Sequence, residues 1–311
     1  MAWFKGHWVT LFLVLMLIVG LCMLLYPSFS NYWNNIHQSR VIMTYSESVS
    51  QLTEEEFKQL ITGAEQYNQK LAKSGMLWTL TDSQRAAYNA QLNFDGTGIM
   101  GYIVIPKINI RLPIYHGTSD EVLTSSIGHL EGTSLPVGGP GTHCVLSGHR
   151  GLPSARLFTD IDQLLEGDIF TITVLNETLT YEVDQIRIVV PEDLSDVQIV
   201  PGKDYCTLVT CTPYGINTHR LLVRGHRIAN LNGNAMVIAD AIQVEPRYII
   251  PFVSAAFLVI LLIVLFTRSK HDAEKEKNSA FRKYMRKHNL SSPFEEKYRG
   301  LEEVIRQKNS S

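Results

Sequence analysis

Cysteine is scarce in this chain of 311 residues: Cys22, Cys144, Cys206 and Cys211 are all there is. No Cys-x-x-Cys or His-x-x-x-His spacing occurs, so the ligand pattern of a zinc site is missing. There is no internal repeat and no low-complexity tract, which leaves no repeat architecture to consider. Positive charge is thin over the middle of the chain. Residues 27–247 hold 15 Lys+Arg against 23 Asp+Glu, with no basic stripe carrying interleaved aromatics, which argues against a nucleic-acid partner. The stretch that follows the first apolar run, Tyr26-Pro27-Ser28-Phe29-Ser30, also lacks a convincing small-x-small cleavage site.

Apolar length is abundant by comparison. Residues 8–26, WVTLFLVLMLIVGLCMLLY, and 248–266, YIIPFVSAAFLVILLIVLF, are each about as long as a bilayer is thick, and both are transmembrane candidates. Lys5 precedes the first run, which could therefore be the core of a cleaved signal peptide; its length and the lack of a convincing cleavage site favour an uncleaved anchor. The tail 267–311 carries 12 Lys+Arg against 7 Asp+Glu, and Arg268 and Lys270 follow the second run directly. Lys/Arg bias marks the cytoplasmic side. Residues 1–7 and 267–311 are thus expected in the cytoplasm and 27–247 outside the cell. In the tail, Arg282, Lys283, Arg286 and Lys287 suit an anionic lipid surface or plain solvation.

The exported part changes texture near residue 96. Thr53-Glu54-Glu55-Glu56 fits a capping box, and Phe57, Leu60, Ile61, Ala64, Tyr67 and Leu71 recur at helical spacing. Thr81-Asp82-Ser83-Gln84 opens a shorter helix expected to run to about Leu92, and 31–50 reads as a juxtamembrane helix or linker. Residues 27–95 are therefore a mainly helical extension. From Gly98 onward, short β-rich runs cover 100–105, 111–115, 144–147, 168–175, 179–190, 205–211 and 221–227. Such closely spaced strands, without long helices between them, predict a mainly β domain over 96–228, an antiparallel barrel or sandwich. Residues 229–247 read as a linker back to the membrane.

Of the three cysteines outside the membrane runs, an odd number, at least one must stay unpaired. Cys206 and Cys211 are an odd separation apart in one extended run, so they face opposite sides of a sheet and cannot easily bridge. A thiol attacks a carbonyl only as its thiolate, and it needs a base or cation nearby and donors for the developing oxyanion. His149, in LSGHRG where a β-run breaks into a glycine-flanked loop, is the histidine best placed to serve. Taken singly, each residue has an ordinary alternative: a core thiol, a surface imidazole, a surface ion pair for Arg220.

The motif Thr207-Leu208-Val209-Thr210-Cys211, with Arg220 nine residues on and His149 in a Gly-His-Arg-Gly setting, resembles the signature of sortases. These are the Gram-positive transpeptidases that join proteins at LPXTG-like sorting signals. The stretches GYIVIPKINIRLPIYHGTS (101–119), GHLEGTSLPVGG (128–139) and TPYGINTHRLLVRGHRI (212–228) look like class C, the pilin-polymerising sortases. The resemblance covers about residues 50–266. It implies a sortase-like closed β-barrel of about eight strands with short helices, flanked by two transmembrane helices. It implies Cys211 as nucleophile, His149 as acid and base, and Arg220 as substrate and oxyanion donor. The substrate would be a pilin with a C-terminal LPXTG-like signal, the acceptor a pilin Lys amine, and no cofactor or metal would be needed. His116 and His129 are expected to be structural, His219 and His226 exposed or hydrogen-bonded, and Cys144 and Cys206 core thiols.

One departure stands out. Class C sortases usually plug the cleft with a flexible segment containing Asp-Pro and then an aromatic residue, and this sequence has no Asp-Pro. In its place is KSGMLWTL, residues 73–80, where Trp78 is the lid candidate or else packs the helices onto the barrel. Two other functions remain conceivable: a sortase that attaches surface proteins to the peptidoglycan cross-bridge, and a catalytically silent pilus-assembly scaffold.

Overall fold

The computed structural model describes residues 2–230 and isolated positions between 255 and 287. The chain divides into two units, Met1–Val244 and Glu245–Ser311. The expected second span, 248–266, most of the linker and most of the basic tail lie outside the described residues.

The first unit begins with α1 (Ala2–Ser50), 49 residues of continuous helix with Pro27 inside it. The first apolar run and the following segment are thus one element, and 31–50 is helix, not linker. Its window of highest mean hydropathy, 2.4, is long and apolar enough to cross a membrane. Past that window one face turns inward: Ile42 and Tyr45 are buried, four and seven residues beyond the buried Gln38. The Tyr45 hydroxyl donates to the Met100 carbonyl (2.9 Å) and accepts from the Leu175 amide (2.7 Å). Burial pushes that hydroxyl's pKa up.

Both capping boxes form. Thr53 with Glu56 starts α2 (Glu54–Ser74), and Thr81 with Gln84 starts α3 (Asp82–Asn89). α3 stops short of Leu92, because Leu92 takes a positive φ of 56° that a helix cannot continue through. Asn68 on α2 pairs with the Leu135 backbone in both directions, at 2.7 and 3.0 Å, and so stitches the extension to the barrel.

Eight strands then close into a barrel: β1 (Ile99–Ile105), β2 (Ile110–His116), β3 (Ile127–His129), β4 (Thr142–Ser147), β5 (Ile169–Val174), β6 (Glu177–Val189), β7 (Asp204–Thr212) and β8 (His219–Ile228). Their order around the barrel is β1-β2-β3-β4-β7-β8-β6-β5, with β5 pairing back onto β1. A wholly antiparallel sheet is corrected here, since β2–β3 and β4–β7 run parallel. The physical reason is that both pairs are joined by crossovers, a short helix α4 (Asp120–Ser125) in one case and the β5–β6 excursion in the other. Inside lie Ile103, Ile114, Leu146, Phe170, Tyr181, Leu208 and Val223, with the rings of Phe170 and Tyr181 stacked at 5.5 Å. Outside, Val145, Leu222 and Val197 form a second apolar cluster against Leu130, Val189, Leu194 and Val209.

Candidate active site

Strand β7 reads DYCTLVTCT, and its alternation sorts the two cysteines. Cys206 is fully buried among the barrel core, while Cys211 is half-buried on the side of Val209, where the outer apolar cluster lies. In the β7–β8 ladder Cys211 stands directly opposite Arg220. Arg220 is at the same time paired with Val189 of β6.

His149 reaches the site from the other flank. The parallel β4–β7 ladder pairs Thr142 with Asp204 and Ser147 with Val209. That pairing is an offset of 62 residues, and side-chain contacts carry it past the last strand residue: Thr210 Oγ1 donates to the Gly148 carbonyl (2.7 Å), and Arg150 Nη1 to Thr212 Oγ1 (3.3 Å). The Gly148 amide donates to the Val209 carbonyl (3.1 Å). The residue that the same offset sets beside Cys211 is His149. The Cys211 thiol, the His149 imidazole and the Arg220 guanidinium therefore belong to adjacent positions across three neighbouring chain segments at one end of the barrel.

Gly148 has no room for a side chain, because a Cβ there would lie 2.8 Å from Phe158 and 2.9 Å from Ile127. Arg150 braces the loop. It pairs with Asp162, reaches Thr212 and lies 6.0 Å over the Tyr214 ring. Arg220 Nη1 donates to the carbonyls of His219 (3.1 Å) and Asn217 (3.3 Å), and among the described residues no carboxylate forms an ion pair with it. A guanidinium held in this way keeps donors free for an anion.

Beside Arg220 opens a cleft of about 370 Å³, floored by Val145, Val209 and Leu222 and walled by Leu130. Trp78 lines it too. The Leu77 amide donates to the Gly132 carbonyl (3.1 Å), and a Cβ on Gly132, whose φ is +80°, would meet the Leu77 carbonyl oxygen at 1.8 Å. Residues 77 and 78 thus rest on a backbone that only glycine can offer there.

The remaining histidines and thiols fall elsewhere. His129 is buried, held by the Tyr88 hydroxyl (2.9 Å) and the Ser134 carbonyl (2.8 Å). His116 meets the carbonyls of Gly98 and Gln91. His143, fully buried between the Gln198 carbonyl and Thr207 Oγ1, has its pKa pushed down to about 4 by burial. His219 and His226 lie within β8, His226 at 3.9 Å from Asp184. Cys144 and Cys206 are neighbours in the β4–β7 ladder, both free and buried, and burial pushes the Cys206 thiol up. No cluster of three metal-binding side chains occurs among the described residues.

Arg150 and Thr210 acquire their importance only here. Both stand inside the motifs that carry Cys211 and His149, but nothing in spacing alone shows which atoms they hold.

The domain that carries this arrangement is similar to known proteins. A family model for the sortase domain matches residues 103–228. The crystal structure of sortase C1 from Streptococcus agalactiae is 62% identical and superposes with a TM-score of 0.61, covering 62% of this chain and all of that one. A sortase C from Clostridium perfringens, solved with the C-terminal cell wall sorting motif, is 46% identical at a TM-score of 0.55, covering 61% of this chain and 99% of that one. Among curated proteins, Sortase D of Bacillus subtilis is 31% identical over 131 residues, which are 41% of this chain and 63% of that protein.

Proposed function

The chain belongs to the sortase family of cysteine transpeptidases, with class C enzymes among its structural neighbours, and from that premise we propose that it polymerises pilins. It cleaves an LPXTG-like sorting signal between Thr and Gly and joins the new carboxyl end to a Lys amine of the next subunit. The observation that carries this reading is the row of His149, Cys211 and Arg220, the last of which lines an apolar cleft.

The steps follow from the positions. The Cys211 thiolate attacks the Thr carbonyl carbon, forming a C–S bond, and the carbonyl oxygen becomes an oxyanion facing the unpaired donors of Arg220. Collapse breaks the Thr–Gly C–N bond as the protonated His149 ring gives its proton to the leaving Gly amine. A thioester then holds the pilin on Cys211. The Lys amine attacks that thioester, its proton passes to His149, and the thiolate leaves as an isopeptide bond forms. Residues 73–80 cover the cleft, with Trp78 as the gating side chain in the absence of an Asp-Pro.

The first span anchors the domain, with the barrel outside the cell and both termini inside. Cys211→Ala is expected to abolish pilus ladders on a denaturing gel, and ladders that persist would refute the catalytic reading. A purified enzyme that joins pilin to a cross-bridge peptide but never to a pilin Lys would move the function to peptidoglycan anchoring.

A further inference from the structure

We propose that α1 is a working part of the active site: Ser30, Asn31 and Asn34, just beyond the membrane run, position the loop that carries His149. The inference rests on the sortase-type chemistry assigned above.

The loop leaves β4 at Ser147 and runs to the 3-10 turn at 161–163. The loop is tied internally. The Phe158 amide donates to the His149 carbonyl (3.1 Å), the Gly151 amide to Thr159 Oγ1 (3.1 Å), and Arg156 pairs with Asp160. At Ser154 and Arg156 the loop also meets α1. Ser30 Oγ donates to the Ser154 carbonyl (2.8 Å), Asn34 Nδ2 donates to the same carbonyl, and Asn31 Oδ1 accepts from the Arg156 amide (2.8 Å).

These three side chains open the inward face of α1. The face continues through Gln38, which donates to the Ser125 carbonyl (2.8 Å), to Ile42 and Tyr45 in the barrel packing. The opposite face exposes Phe29, Tyr32 and Trp33 immediately after the apolar run, where aromatic side chains suit a membrane–water interface. One continuous helix thus carries the apolar run, the contacts to the barrel and the contacts to the His149 loop.

Any shift of residues 154–156 is relayed through the Phe158–His149 hydrogen bond to the peptide that carries the imidazole. Catalytic geometry is unforgiving, since a misplacement of about 1 Å can cost on the order of a hundredfold in rate. Ser30, Asn31 and Asn34 are positioning residues in this scheme, and none need touch substrate.

The test uses the full chain in lipid nanodiscs with a fluorogenic LPXTG-type peptide and an amine acceptor. Asn31→Leu removes the acceptor for the Arg156 amide, whereas Asn31→Asp keeps it; Ser30→Ala with Asn34→Ala removes both donors to Ser154, and Tyr32→Ala alters only the exposed face. For Asn31→Leu and for the double variant, kcat should fall about tenfold, the scale of one lost hydrogen bond. KM should hold within about twofold, and the pH profile of kcat should move as the imidazole leaves its place. Asn31→Asp and Tyr32→Ala should match wild type. Wild-type kcat and pH profile in a folded Asn31→Leu protein and in the double variant would overturn the inference. Wild-type protein that fails to cleave the peptide, or Cys211→Ala protein that still cleaves it, would overturn the parent reading and the inference with it.

Discussion

Replacing Trp78 with alanine should open the cleft while leaving Cys211, His149 and Arg220, the groups proposed to do the chemistry, in place. Trp78 is 40% exposed, so roughly 60% of an indole of ~250 Å² is covered. That is about 150 Å², which at ~25 cal/mol per Å² bounds its hold on the cleft at about 4 kcal/mol. Ordering residues 73–80 and the contact that an alanine keeps take back about half. A net of about 2 kcal/mol corresponds to roughly a thirtyfold change in the open population. The assay is alkylation of Cys211 by iodoacetamide, followed by mass spectrometry of the peptide that carries it. Cys144 and Cys206, at 2% and 0% exposure, stay silent and serve as internal references. The rate at Cys211 should rise between tenfold and thirtyfold in Trp78→Ala, and LPXTG-type peptide cleavage should rise with it until chemistry limits. If both rates match wild type, the segment is packing and not a gate.

Two further outcomes are expected. Arg150→Met should cut kcat about tenfold or more, because the clip from the His149 loop to Thr212 and Asp162 is lost, and Arg150→Lys should not restore it, since one ammonium cannot reach both partners in the guanidinium's geometry; steady-state kinetics beside a thermal melt separates this from unfolding. His143 is held neutral in the fold with its pKa near 4, whereas an unfolded imidazole takes up a proton below about 6.5. Protonation therefore favours unfolding, and about 3 kcal/mol should be lost as pH falls from 6.5 to 4. Urea melts across that range should show the slope in wild type and a shallower one in His143→Gln.

Local signals in the chain were legible where the physics is local. Both capping boxes, at Thr53 and Thr81, form as their side-chain chemistry requires. Strand parity separated Cys206 from Cys211 because the side-chain period is fixed at two. Strand β3 and helix α4 went unseen, since three and six residues are too few to show a period. The parallel pairings are non-local, so the shared level of Cys211 and His149 along β7 and β4 is visible only once both strands are placed side by side. Arg150 was hidden for another reason: a loop arginine looks the same whether it meets water or, as here, Asp162, Thr212 and a tyrosine ring.

Closure of the barrel has a consequence for how any extended peptide can be held. With β5 hydrogen-bonded to β1, the sheet of described strands closes on itself and has no terminal strand. A substrate cannot join it as a ninth strand, so the main-chain ladder that gives many peptide-binding domains affinity irrespective of sequence is closed to it. Recognition must fall on side chains and loops around the cleft. Exchanging those loops between relatives should therefore move sequence preference while leaving the barrel and the pairing of Cys211 with Arg220 untouched.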